Sequence, residues 1–145
     1  MKKLLILPLA LACGATTNVV DDDNNGQQGE VETDEFGPVI EHDEIQQSQP
    51  GGVDVQVTAE VWDEEGDVLQ VKLFYSQWTS TDWQEVAMVF QASSGEFRAT
   101  IPGIQVGSSD MRYYIWAMDD VYNESVDPRN ADIDRQDAYV FGVSM

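Results

Sequence analysis

The chain predicts an all-β fold, an antiparallel β-sandwich occupying residues 37–145. Short segments in that region alternate apolar and polar residues with period two, clusters of Gly, Pro, Asn, Asp and Ser separate them, and no stretch repeats with the helical period. The most apolar segment, Met111–Asp120, places Met111, Tyr113, Ile115 and Ala117 on one face and Arg112, Tyr114, Trp116 and Met118 on the other. A strand apolar on both faces needs neighbours in its own sheet and a second sheet across its inner face, so it reads as central.

Seven strands follow in order. Gly37-Pro38 opens the domain, and Val39–His42 is a short first strand. His42 is the only His of the chain, and with no second His or Cys nearby it is expected at an exposed edge without a metal or catalytic role. Past the turn-rich stretch ending in Pro50-Gly51-Gly52, Val53, Val55, Val57, Ala59 and Val61 alternate strictly with polar residues or Trp62. Asp63-Glu64-Glu65-Gly66-Asp67 turns the chain into Val68–Ser76, with Leu69, Val71, Leu73 and Tyr75 facing inward. Trp83–Gln91 is read as one strand with Val86, Met88 and Phe90 on one face. Phe97–Ile101 is the fifth, stopped by Pro102-Gly103, and the central strand is the sixth. A long acidic loop, residues 121–137, leads to a last strand, Ala138–Val143.

The N-terminal part has another character. Met1-Lys2-Lys3 is positively charged, Leu4–Leu11 is apolar apart from Pro8, and Ala10-Leu11-Ala12 offers a small-residue cleavage site. Residues 1–12 therefore read as an export signal, too short to span a bilayer. The only Cys of the chain, Cys13, follows directly and excludes an intrachain disulfide. This arrangement resembles the lipobox of bacterial lipoproteins, although Ala10 and Leu11 depart from the usual Leu and small residue. The resemblance implies that Cys13 carries a diacylglycerol thioether and an acylated amine such as palmitate, which would hold the chain to a membrane. Gly14 in place of Asp favours the outer membrane by the same resemblance. Cleavage by the ordinary signal peptidase would instead leave a periplasmic or secreted protein.

Residues 13–36 are rich in Gly, Thr, Asn, Gln, Asp and Glu, without periodicity, and read as an acidic disordered linker. Asp21, Asp23, Asn25, Gly26 and Glu32 fit the EF-hand loop pattern, but no helices flank them, and the pattern arises by chance in so acidic a tract.

Within the domain, Ala-Thr-Ile-Pro at residues 99–102 and Arg-Tyr-Tyr-Ile-x-Ala-x-Asp at residues 112–119 resemble the fibronectin type III or immunoglobulin-like modules of bacterial secreted proteins and lipoproteins. Residues 38–127 carry the likeness, which implies a seven-stranded immunoglobulin-like sandwich. It says little about function, because such sandwiches serve many roles.

A formal charge of −20 excludes nucleic acid as a partner, since phosphate binding needs clustered Lys and Arg. In a sandwich of this kind the loop after the second strand and the loop before the last strand emerge at the same end. That brings Asp63, Glu65 and Asp67 toward Asp119, Asp120, Asp127, Asp132 and Asp134, carboxylates suited to calcium. Lys72, Phe74, Arg112, Tyr114 and Trp116 would form a second candidate, an aromatic patch on the outer face of the sheet for a sugar or a protein. Neither a Gly-x-Ser-x-Gly nor a His-Glu-x-x-His motif occurs, so an enzyme is not expected. The sequence thus points to a lipid-anchored cell-envelope protein whose sandwich is a protein-interaction, adhesion or structural module. The second reading is a carbohydrate-binding accessory module using the aromatic face and stabilised by calcium, its partner a polysaccharide.

Overall fold

The computed structural model describes residues 34–145, so the signal segment, Cys13 and the EF-hand-like stretch lie outside the described residues. The architecture is all-β with antiparallel sheets, consistent with a β-sandwich. One sheet joins β1 (Val39–Glu41), β3 (Val55–Trp62), β7 (Glu96–Ile101) and β6 (Val89–Gln91) in that order. The other runs β10 (Tyr139–Phe141), β8 (Met111–Asp119), β4 (Val68–Gln77) and β5 (Gln84–Ala87), with β9 (Glu124–Asp127) on the same edge of β8 as β10. A small parallel pair, β2 (Gln49–Pro50) with β11 (Val143–Ser144), ties the C-terminus to the loop after β1.

The core is the product of alternation. Val55, Val57, Ala59 and Val61 of β3, with Ala99 and Ile101 of β7, pack with Val71, Leu73 and Tyr75 of β4 and Met111, Tyr113, Ile115 and Ala117 of β8. Leu73, Ile101, Met111, Tyr113, Ile115 and Ala117 are sealed from solvent, each large aliphatic side chain contributing about 1.5–3 kcal/mol by leaving water. Strand β8 is central as expected, buried on both faces as far as Ile115. Among the described residues no helix is long and apolar enough to cross a membrane.

Four features differ from the sequence expectation. The strand expected over Trp83–Gln91 is two: β5 pairs with β4, the chain crosses at buried Met88, and β6 pairs with β7 of the other sheet. After the crossing Phe90 stands opposite Phe97 at the edge of the sheet, its ring 5.3 Å away, and stays exposed instead of entering the core. A register shift between Val68 and Gln70 leaves Leu69 exposed and moves the inward position to Val68, which packs on the core. The last strand breaks at Gly142 and changes partner, and the acidic loop contains a strand of its own, β9.

Candidate functional site

The calcium set expected from sequence is only partly assembled. Asp63, in the β3–β4 turn, and Asp119, at the end of β8, do come together, but the third carboxylate beside them is Asp34, from the segment before β1. Glu65 instead accepts from the Glu35 N–H at 3.2 Å on the surface. Asp67 contributes its main-chain carbonyl, to the Asp120 N–H at 3.0 Å, and Asp120 remains exposed. Burial opposes ionisation of Asp119, yet hydrogen bonds from Asn123, Val121 and Tyr122 outweigh it and hold the carboxyl below its ordinary range. Asp34 is pushed upward, first by burial and then by Glu65 beside it.

The expected aromatic face is not an open platform. Lys72, Phe74 and Ser76 stand opposite Trp116, Tyr114 and Arg112 on the outer side of the sheet, but residues 128–138 fold back over it. Phe74 stacks on Tyr114 at 4.8 Å, Trp83 meets Tyr114 edge-on at 4.9 Å, and Ala131 and Ala138 close the cluster, leaving Tyr114 6% exposed. Arg112, 7% exposed, lies 3.8 Å over the Trp78 ring and donates to Trp78 O at 2.9 Å. Arg135 pins the covering segment by donating to Ser80 O at 2.7 Å. Only a corner stays half-open: Trp116, whose Nε1 donates to Glu124 Oε2 at 3.2 Å, with Lys72 above it at 5.7 Å and paired to Glu85 at 3.2 Å. A pair this exposed contributes little stability. The residues expected to bind a ligand there mostly hold the loop down.

A concave site forms elsewhere, along the edge of the sandwich where β1 and β3 approach β9 and β10. This cleft, of ≈ 450 Å³, has Glu41, His42, Asp43, Thr58, Glu60, Glu96, Asp127 and Tyr139 in its lining. Pairing of β1 with β3 sets His42 beside Thr58, and Nδ1 lies 2.6 Å from the Thr58 carbonyl. A carbonyl only accepts, so Nδ1 carries the hydrogen. Nε2 then accepts from the Tyr113 hydroxyl at 2.9 Å, and that hydroxyl oxygen accepts the Ile45 N–H at 3.0 Å. Tyr139 donates to Asp127 Oδ2 at 2.7 Å, and its ring sits 5.2 Å from that of His42. His42 is therefore half-buried and engaged at both nitrogens, against the exposed edge position expected for it. Nothing in the local sequence signals this, because Tyr113 is 71 residues away.

Burial pushes the Tyr113 hydroxyl up to about 12, partly offset by the Ile45 hydrogen bond, and burial followed by the bond to Asp127 raises Tyr139 further. Both tyrosines favour the neutral form in the folded state. Their contribution to stability is complete below the ordinary value of 10.0 and is lost as pH climbs through the folded value. In an alkaline titration the phenolate absorbance of Tyr113 and Tyr139 should appear only together with unfolding. Their ionisation with the fold intact would show the network to be loose.

A model of the family described as alpha-1,4-glucan:maltose-1-phosphate maltosyltransferase, domain N/S, matches residues 29–127. No curated protein matches the chain. The family match overturns the expectation of an adhesion or structural module at the cell envelope. With it fall the lipoprotein and outer-membrane assignments, because the matched family is a domain of an enzyme of α-1,4-glucan chemistry. The match places the chain in an enzyme family without showing it to be catalytic itself.

Proposed function

The chain belongs to the N/S domain family of alpha-1,4-glucan:maltose-1-phosphate maltosyltransferase, and from that membership we propose that it is a non-catalytic module that holds neutral α-1,4-glucan chains. The observation that carries this reading is the charge of the edge cleft. Glu41, Asp43, Glu60, Glu96 and Asp127 line it without a Lys or Arg. The two compounds in the enzyme's name differ in the property that such a wall reads: maltose 1-phosphate is an anion that carboxylates repel, whereas a glucan is a neutral chain of hydroxyls that carboxylates accept from. The Tyr139 ring supplies an apolar surface beside these acceptors, the usual composition of a site that orients a small ligand.

Binding, and not proton transfer, suits the groups present. His42 has both nitrogens committed, and Asp127 Oδ2 is held by the Tyr139 hydroxyl. We read the two sheet orders as the immunoglobulin-like connectivity, with residues 37–145 as the sandwich itself; the β5-to-β6 crossing is then the edge strand that such folds pass between sheets.

The test is titration calorimetry with maltoheptaose and retardation in glycogen-containing native gels. The unaltered chain should bind maltoheptaose and be retarded by glycogen, while maltose 1-phosphate should give no heat. Glu60→Ala with Glu96→Ala, which removes two acceptors from the wall, should weaken binding by about tenfold or more. Failure of the unaltered chain to bind either glucan, or binding indifferent to both substitutions, would sink the assignment.

A further inference from the structure

Away from the edge cleft, Asp34, Asp63 and Asp119 come from three separate segments, and one oxygen of each lies within 4.8 Å of the others. Each carboxylate is anchored through its Oδ1. Asp63 Oδ1 accepts the N–H groups of Glu65 and Gly66, both at 2.8 Å. Asp119 Oδ1 accepts those of Val121 at 2.9 Å and Asn123 at 2.8 Å. Asp34 Oδ1 accepts the Phe36 N–H at 3.3 Å. The second oxygens of Asp119 and Asp34 are buried and accept no hydrogen bond among the described residues, and Asp119 is 0% exposed. A buried carboxylate oxygen without a partner costs stability unless a positive group faces it. No Lys or Arg does so: the one ion pair among the described residues is Lys72 with Glu85.

We propose that Asp34, Asp63 and Asp119 form a divalent-cation site that takes calcium. The donors are all carboxylate oxygens, with no His or Cys in the group, which disfavours zinc and copper. Two of the three lie in turns or in the segment before β1, whose adaptable geometry suits calcium more than the strict octahedron of magnesium; water and main-chain carbonyls complete the shell. The turn closes tightly here, since a Cβ added to Gly66 would stand 3.2 Å from Asp34 Oδ2 and 2.8 Å from Asp120 Oδ1. Bound calcium would clamp the segment before β1 to the β3–β4 turn and the end of β8. This site is separate from the glucan cleft and does not depend on that reading.

The experiment uses the full chain stripped with a chelator, followed by thermal melting and calorimetry with calcium chloride and, separately, magnesium chloride. Calcium at about 1 mM should raise the melting temperature by about 4 °C or more, and magnesium at the same concentration should do much less. Asp34→Ala and Asp119→Asn should each weaken calcium binding by about tenfold or more. Asp34→Ala lies outside the strands and removes an unpartnered buried oxygen, so its calcium-free melting should equal or exceed that of the unaltered chain and separate loss of binding from loss of fold. The proposal is overturned by an absence of calcium heat, by equal shifts with magnesium, which would mark screening of an acidic surface, or by unchanged affinity in the variants. It is equally overturned if Asp21→Asn with Asp23→Asn abolishes binding while Asp34→Ala does not.

Discussion

Replacing Tyr113 with Ala is expected to destabilise the domain by about 3–5 kcal/mol, and replacing it with Phe by about 1–3 kcal/mol. Tyr113 is sealed in the core, with its ring against Tyr139 at 5.3 Å and Phe141 at 5.9 Å, so truncation empties a large volume between the sheets. Tyr113→Phe keeps the ring but withdraws the hydroxyl, leaving His42 Nε2 and the Ile45 N–H without their partner. The two variants therefore separate packing from polar satisfaction. Urea unfolding measures both. If Tyr113→Phe costs nothing, water reaches His42 and Ile45 from the cleft, and the network is a surface feature. The wall of the edge cleft would then be less rigid than these contacts imply.

The second large effect is at Gly103. This residue begins a 3-10 turn after β7, its N–H donates to Asp54 Oδ1 at 2.7 Å, and its carbonyl accepts the Val106 N–H at 2.9 Å. The neighbouring Gly52 N–H donates to Val106 O at 2.8 Å, so the loop before β3 and the turn after β7 are laced together backbone to backbone. A Cβ on Gly103 would stand 2.7 Å from the Gly52 carbonyl carbon and 2.9 Å from the Val53 carbonyl carbon. These are main-chain atoms, and no rotamer change relieves them. Gly103→Ala should cost about 3 kcal/mol, at the upper end of overpacking effects. It should lower the urea midpoint with little change in slope, because the surface exposed on unfolding is unchanged. A melting temperature equal to that of the unaltered chain would show that the two loops move apart freely.

Strand positions were legible where the physics is local. In β3 the burial pattern repeats the alternation of Val55, Val57, Ala59 and Val61 residue by residue, and in β8 the apolar face of Met111, Tyr113, Ile115 and Ala117 is the one sealed in the core. Pattern reading failed where a strand changes partner without changing composition. Val86, Met88 and Phe90 keep perfect alternation, yet the chain leaves one sheet for the other at Met88, and only the positions of β4 and β7 dictate that crossing. Leu69 was misplaced for a related reason: a bulge reverses inward and outward without any mark in the residue types.

The candidate sites divide along the same line. The meeting of Asp63 with Asp119 followed from turn order in a sandwich, whereas Asp34 was hidden in a tract whose composition resembles a solvated linker. Tyr114 and Arg112 were correctly placed on the outer sheet face, but alternation does not say whether a later loop returns to cover that face; Arg135 donating to Ser80 O secures it.

The sequence by itself determined the all-β class, the central place of β8 and the acidity that turns phosphate away, because period-two patterning and net charge are properties of the chain alone. Only the tertiary structure decided which carboxylates meet, which aromatic residues are covered, and that His42 closes on Tyr113 to wall the cleft. Those are contacts between segments far apart in the chain, set by strand order and loop return, and no local spacing records them.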